Sequence, residues 1–430
     1  MYTAALLKIN GEIKMRKGII RLLTLSAILT IGFVNPLKGQ DGLAGTPGSF
    51  LYMGVGARAL GMGGAFTAIA NDVTAVYWNP AGLATQDPFQ ISFMHARLFL
   101  DTSLNFLVAS APTERYGSFG VGILALTSGG FEQRSASNEV IGNFDTRDLA
   151  FIVSWSKEVF QDISLGLNYK FVNQKILSYT GNGHGIDFGV KARLFDRLDG
   201  GLVLANILSP KVKLAQEAET YPLQIRAGLS SSFVDEKLVL SIELTKISGW
   251  GKSQMHFGGE YKVMNQLAIR LGLNDKNLTF GAAFSFDRLG IGYSNAATSE
   301  LGSSHRISLN YAFGGFGVNA EANPRVFSPA GELNITRIKL TITSRAEIEQ
   351  WNFAIMNAEG RVIQHFTKNG QPPEEIVWDG RDSVGALVAD GSFNYHFDVK
   401  TINGKVMSRE GALVKIDTKG PVGIITIEDE

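Results

Sequence analysis

The chain has 430 residues, more than one ordinary soluble domain holds, so two units are expected. Lys+Arg and Asp+Glu both total 40, leaving no net charge to steer the protein toward nucleic acid, and charged residues make up only 19%, below the globular norm of about 25%. Gly (49) and Phe (27) are abundant and cysteine is absent, which excludes thiol catalysis, disulfide scaffolding and Cys-ligated metal sites.

Residues 1–40 read as an export signal. Lys14, Arg16, Lys17 and Arg21 precede the apolar run Leu22 to Val34, which is shorter than the roughly 20 residues a membrane-spanning helix needs. A basic head, a short apolar centre and a polar exit mark a secretory signal peptide. Met15 is an alternative start, and cleavage is expected near Gly39 or Gln40, although Leu37 and Lys38 make a poor small-residue site. A retained N-terminal anchor is the other reading. No later stretch is long and apolar enough for a membrane helix, so an exported chain of this kind is periplasmic, extracellular or a closed barrel.

Residues 41–88 hold the most unusual stretch, Gly54 to Ala84. Gly56, Ala57, Gly61, Gly63 and Gly64 let the backbone pass close to other backbone, and no charge lies between Arg58 and Asp72. Asn71 and Asp72 precede an apolar run through Trp78 that ends in the turn Asn79-Pro80-Ala81-Gly82. A small, nearly neutral insert like this suits the lumen of a larger shell. The string GARALGMGGAFTAIANDVTAVYWNPAGLA resembles the N-terminal signature of the PorV/PorQ family of outer-membrane barrels, distant relatives of the FadL hydrophobic-solute transporters. The resemblance implies a plug folded into the barrel.

From residue 89 to 313 the pattern is period two. Ile163, Leu165, Leu167, Tyr169 and Phe171 alternate with Ser164, Gly166, Asn168 and Lys170; Met255, Phe257, Tyr261 and Val263 alternate with His256, Gly258, Glu260 and Lys262. Fourteen such segments are expected, at about 89–98, 103–112, 117–127, 147–158, 162–176, 183–195, 199–207, 222–233, 236–247, 253–263, 265–273, 277–287, 288–296 and 303–313. Segments of about 9–11 residues match tilted membrane-spanning strands. A soluble sandwich also alternates, but Trp155, Tyr169, Tyr261 and Tyr311 at the ends of apolar faces suit the aromatic girdles of a transmembrane barrel. This register turns Asp187, Lys191, Arg193, Arg226, Glu243, Glu260 and Arg270 into the lumen. Long connections are expected after the third, seventh and thirteenth segments, notably 128–146 and 208–221, and tight ones after the fourth, sixth, eighth and twelfth. With both barrel ends periplasmic, the long ones fall outside.

Residues 314–324 read as a linker, 325–421 as a β-sandwich of short strands and 422–430 as a tail. Trp378-Asp379-Gly380-Arg381-Asp382, Gly385 and Asp390-Gly391 through Tyr395 resemble the FlgD-type immunoglobulin-like domain. That family often opens on Ser-Pro-Asn-Gly-Asp, whereas this chain has Ser328-Pro329-Ala330-Gly331-Glu332, so no metal role carries over. The topology puts this domain in the periplasm.

No catalytic constellation emerges. The six histidines share no metal-ligand spacing, and Gly61-Met62-Gly63-Gly64 lacks the Lys-Ser/Thr of a phosphate loop. Asp379, Asp382 and Asp390 are explained by turn chemistry as readily as by calcium. The fold class expected is all-β, a transmembrane antiparallel barrel of about 14 strands with an N-terminal plug, then a small Ig-like sandwich. No enzyme and no cofactor are expected. The PorV/PorQ resemblance implies a part in type IX protein secretion, docking exported cargo or secretion-system proteins from a place among outer-membrane lipid. The alternative is a FadL-like transporter with a hydrophobic ligand in its lumen, and a purely structural envelope protein is a third reading. The lumen separates the first two: an apolar cavity favours transport, a packed polar one favours docking.

Overall fold

The computed structural model describes residues 45–86, 89–98, 101–113, 115–234, 236–298, 302–313, 317–331, 334–344, 347–402 and 406–418. The signal peptide and the tail 422–430 lie outside the described residues. The chain divides into two units, 1–313 and 314–430.

The first unit is a closed antiparallel barrel of fourteen strands. They are β1 (Phe89–Arg97), β2 (Thr102–Thr113), β3 (Gly117–Arg134), β4 (Val140–Phe160), β5 (Ile163–Ile176), β6 (Tyr179–Phe195), β7 (Leu198–Leu208), β10 (Gln224–Phe233), β11 (Leu238–Ile247), β12 (Gln254–Met264), β13 (Leu267–Asn274), β14 (Asn277–Phe286), β15 (Leu289–Thr298) and β16 (Gly302–Phe313). Between β7 and β10 a small hairpin, β8 (Lys211–Lys213) with β9 (Ala218–Thr220), forms a sheet of its own that packs on β6 through the buried Val212. β1 closes the barrel on β16, from Phe89 opposite Phe313 to Arg97 opposite His305. Closure pairs every strand on both sides and leaves no edge.

Alternation sets which face each residue takes. On β12, His256 and Glu260 are buried while Met255, Phe257 and Tyr261 are exposed. Phe257, Phe280 and Tyr311 are 41%, 49% and 37% exposed, on the outside of the barrel. A slip of one residue on any strand would exchange the two faces.

Two expectations about connections are corrected. The stretch 128–146 is no open loop: β3 and β4 continue pairing to Arg134 opposite Val140, with Phe131 stacked on Phe144 at 5.4 Å between ring centres. The connection after the thirteenth segment is short, because β15 runs to Thr298 and β16 starts at Gly302.

The second unit is a β-sandwich. One sheet joins β17 (Gly317–Asn323), β19 (Thr336–Thr343) and β22 (Glu375–Trp378); the other joins β18 (Val326–Phe327), β24 (Val406–Ile416), β23 (Gly391–Thr401), β20 (Ile348–Met356) and β21 (Val362–Asn369). Val318, Ile338 and Trp378 from the first sheet share one core with Phe353, Phe393, Tyr395 and Phe397 from the second. The expected linker 314–324 is corrected: Gly317–Asn323 is a strand of this sandwich, paired with β19 from Gly317 opposite Thr343 to Asn323 opposite Arg337. Its inward residues Val318, Ala320 and Ala322 are small, which weakens the hydrophobic signal.

Candidate functional site

The lumen is filled by residues 45–86. The described segment starts at the barrel end that carries the β7–β10 connection, where the Tyr52 hydroxyl donates to Pro222 O (3.1 Å) and Trp250 Nε1 donates to Thr46 Oγ1 (3.2 Å). It finishes at the opposite end, where β1 begins and Ser110 Oγ donates to Gln86 Oε1 (2.7 Å). Between these points it forms only short helical turns, Ser49–Tyr52, Ala57–Gly61, Ala75–Trp78 and Pro80–Thr85. Asn79 starts the last of them: its backbone is extended, its Oδ1 accepts from Ala81 N (3.1 Å), and Pro80 takes the first helical position.

The plug seats backbone to backbone against the wall. A Cβ at Gly272 on β13 would collide with Gly63 N, and one at Gly166 on β5 with Ala81 N. Gly63 itself has φ +68°, a conformation that glycine adopts without steric penalty. Gly82 sits so close to Ala70 O that no side chain fits there.

Polar side chains from the wall hold the plug in place. Arg58 Nε and Nη2 donate to Glu260 (3.0 and 2.8 Å), and its Nη1 reaches Asn71 Oδ1 (2.6 Å) and Asp72 Oδ2 (3.0 Å). Arg270 Nε donates to the same Glu260 carboxylate at 2.6 Å. Glu243 Oε2 accepts from Phe66 N (3.0 Å) and Thr67 N (2.8 Å), His256 Nδ1 meets Gly63 O (2.9 Å), and Lys191 Nζ donates to Ile69 O. Asn79 Nδ2 bridges Thr67 O and Val190 O, and Arg226 Nη2 donates to Tyr77 O while its guanidinium lies over Trp78 at 5.4 Å. Asp187 pairs with Lys170 Nζ at 2.7 Å and accepts from Asn206 N. Each of these buried charges thus meets an opposite charge or backbone groups that would otherwise go unpaired.

Of the charges assigned to the lumen, Asp187, Lys191, Arg226, Glu243, Glu260 and Arg270 are buried inside the barrel. Arg193 keeps the inward parity of Lys191 but sits at the end of β6, where it is exposed and pairs with Asp199 at 3.1 Å. His184 and Asp187 take opposite faces; His184 points outward against the Tyr169 hydroxyl (2.6 Å). Sequence reading missed Arg306 on β16, which is buried in the lumen with Nε and Nη1 unpartnered. Its inward parity on β16 is the only sequence signal for it.

The plug divides the lumen into two vestibules. The one at the β7–β10 connection end holds about 330 Å³, lined by Tyr52, Met53, Leu60, Tyr77, Trp78, Leu98, Leu104 and Ile247, with Arg226 and Arg306 among its polar groups. The other, at the β1 start, holds about 470 Å³ and is lined by Arg58, Asp72, Gln90, Lys262, Arg288 and Asn310 among others. Among the described residues no group of three or more His, Asp or Glu could hold a metal.

In the sandwich, Trp378 is buried and its Nε1 donates to Arg381 O (2.8 Å). Asp379 accepts from Arg381 N, Asp382 from Val384 N and Ala386 N, and Asp390 from Thr418 N. Gly380 and Gly385 have φ +74° and +86°. Gly391 opens β23, and Tyr395 stacks on Phe353 at 5.7 Å. These contacts are turn and core chemistry.

The family model described as "Uncharacterised protein family (UPF0164)" matches residues 41–188, about a third of the chain, from the plug through most of β6. A comparison with curated proteins finds no match. Among solved structures, the Pseudomonas putida toluene transporter TodX is 14% identical with a TM-score of 0.47, over 60% of this chain and 98% of that one. The CymD monoaromatic hydrocarbon channel is 15% identical at a TM-score of 0.47, over 60% and 98%. A Pseudomonas aeruginosa FadL homologue is 13% identical at 0.41, over 60% and 98%.

Proposed function

We propose that the chain is a non-enzymatic outer-membrane barrel that takes a hydrophobic small molecule into the vestibule at its outer end, beside the plug. The membrane placement rests on the outer face. Phe93, Leu107, Ile123, Phe151, Leu167, Phe257, Phe280, Ile291 and Leu309 form an exposed apolar girdle around a closed barrel, far beyond what a soluble monomer leaves uncovered. Lipid tolerates such strands because closure satisfies every backbone group. The long β3–β4 ribbon marks the outer end, since barrels of this class have long outer and short periplasmic connections. On that orientation β1 begins and β16 finishes on the periplasmic side, and the sandwich domain is periplasmic.

The observation that carries the transport reading is the outer vestibule itself. Its volume is within the range of small-molecule sites, and Tyr52, Met53, Tyr77, Trp78, Leu98 and Leu104 supply apolar and aromatic surface that faces a polar side of Gln224, Arg226, Glu243, His256, Asn274 and Arg306. The test is binding of an apolar naphthylamine dye to the full chain in detergent. Saturable binding is expected, weakened about tenfold by Leu98→Trp, which fills the vestibule from its rim. Absence of saturable binding, or a variant that binds like the wild type, overturns the reading.

A second reading, docking of exported proteins in type IX secretion, is supported by the PorV/PorQ-like motif and by the β3–β4 ribbon. The ribbon presents Phe131, Val140 and Ile141 to solvent beyond the barrel. Affinity purification from native membranes discriminates: secretion partners that disappear when 131–144 is replaced by a short turn would support docking over transport.

A further inference from the structure

Arg147 on β4 and Lys175 on β5 are direct cross-strand partners. Both are exposed, and neither has an ion pair among the described residues; Asp145, two positions along β4, engages neither of them. Like charges placed opposite each other on adjacent strands repel and destabilise the pairing. An anion seated between them turns that repulsion into a clamp.

Their depth indicates which anion. Both side chains take the outward parity of their strands. On β4 the outward residues between Lys157 and Arg147 are Trp155, Val153, Phe151 and Leu149, all apolar. Ten positions at about 3.3 Å span about 33 Å along the strand, or about 25 Å across a membrane at a tilt near 40°, the height of a barrel's apolar band. Lys157 and Arg147 therefore sit at its two borders, with Arg147 at the outer one. Below the cation pair, past Leu149 and the hydrogen-bonded amides of Asn173 and Asn182, lies a platform of rings. Phe171 faces His184 at 5.3 Å, Tyr169 stacks on His184 at 5.9 Å, and the Tyr169 hydroxyl holds His184 Nδ1 at 2.6 Å. A phosphate at the height of Arg147 and Lys175 would carry acyl chains down past Phe171, Tyr169 and Phe151.

We infer that the outer face of β4 to β6 is a binding site for a phosphate-bearing glycolipid of the outer leaflet, its phosphate held between Arg147 and Lys175 and its acyl chains laid on the aromatic platform. The inference rests on the outer-membrane reading above. Arg supplies a forked donor set matched to phosphate and Lys a second point charge.

The test uses the full chain in detergent, with native mass spectrometry as the readout. The probes are a diphosphorylated lipid A, the same glycolipid without phosphate, and inorganic phosphate. Wild type is expected to retain the phosphorylated lipid at least tenfold better than the dephosphorylated one, on the scale of two interfacial cations. R147Q/K175Q should lose that preference, and Arg147→Lys should keep most of it. The double variant should unfold in lipid-free detergent at or above the wild-type temperature, because a like-charge pair is removed. Equal retention of both lipids by the wild type, an unchanged preference in R147Q/K175Q, or full displacement by millimolar inorganic phosphate each overturns the inference. A mature chain that stays monodisperse without detergent would instead overturn the outer-membrane reading.

Discussion

At the scale of single residues, the lumen is specified by what is missing. Gly63, Gly82, Gly166 and Gly272 are places where two stretches of backbone approach more closely than any Cβ permits. The sequence showed the plug half of this arrangement as a run of small residues, but the wall half was hidden, because a glycine on a period-two strand reads as an ordinary polar-face position. The same holds for the ion pairs. Arg58 and Glu260 lie 202 positions apart, and no spacing rule joins them. The approach at Gly272 yields a prediction. Gly272→Ala drives a methyl group into Gly63 and Met62, and overpacking of this sort costs about 1–3 kcal/mol. The plug is the softer partner, since it is built of short helical turns with no strand pairing, whereas β13 is paired along its length with β12 and β14. The expected outcome is a lower unfolding temperature together with faster leakage of a small solute from reconstituted vesicles. Gly391→Ala, at a position with open space around it, is the control and should change neither. A Gly272→Ala protein as tight and as stable as the wild type would mean that the plug does not bear on the wall there.

At the scale of elements, strands were legible where one face was apolar and the other was not. All fourteen barrel segments sit within a few residues of their expected places inside the apolar band. Beyond it the signal fades: 129–145 is mostly Gly, Ser, Asn, Gln and charged residues, and Phe131, Val140, Ile141 and Phe144 are too few for a continuous alternation that would reveal that the two strands continue. β17 escaped for a related reason, since Val318, Ala320 and Ala322 alternate correctly but bury little surface each. In the sandwich, β23 and β24 place His396 opposite Glu410, with imidazole nitrogens 2.7 Å from Glu410 Oε1 and 2.8 Å from Asp398 Oδ1. Partial burial pulls the imidazole pKa down, but the Glu410 hydrogen bond and the two carboxylate charges outweigh it, so the net shift is upward. A raised folded-state value means that the pair contributes stability below the unfolded pKa of about 6.5 and loses it as pH rises through the folded value. His396→Gln should therefore make the sandwich easier to digest in urea at pH 5.5 and leave it unchanged at pH 9. Solvent screening keeps the effect under about 1 kcal/mol. Equal sensitivity at both pH values would show that the pair is not ionised as drawn.

At the scale of the whole molecule, the two units solve opposite problems with the same strand geometry. The barrel turns its large apolar side chains outward and closes its backbone on itself, so it needs an apolar solvent and has no dry core apart from the plug. The sandwich turns Phe353, Phe393, Phe397 and Trp378 inward and leaves charged residues such as Arg337, Glu375, Lys400 and Glu349 paired on its surface. A unit of about 100 residues with a shared two-sheet core is long enough to fold unaided, with the usual margin of about 5–15 kcal/mol. Residues 317–418 produced alone should be soluble without detergent, show a β-type circular dichroism spectrum and unfold in one cooperative step. The start point is decisive. Residues 325–418, which omit β17, remove one edge of the three-stranded sheet and uncover Ile338 and Leu340, so this shorter piece should aggregate or melt at a markedly lower temperature. If the two pieces were equally stable, β17 would be an ordered linker and not part of the sandwich.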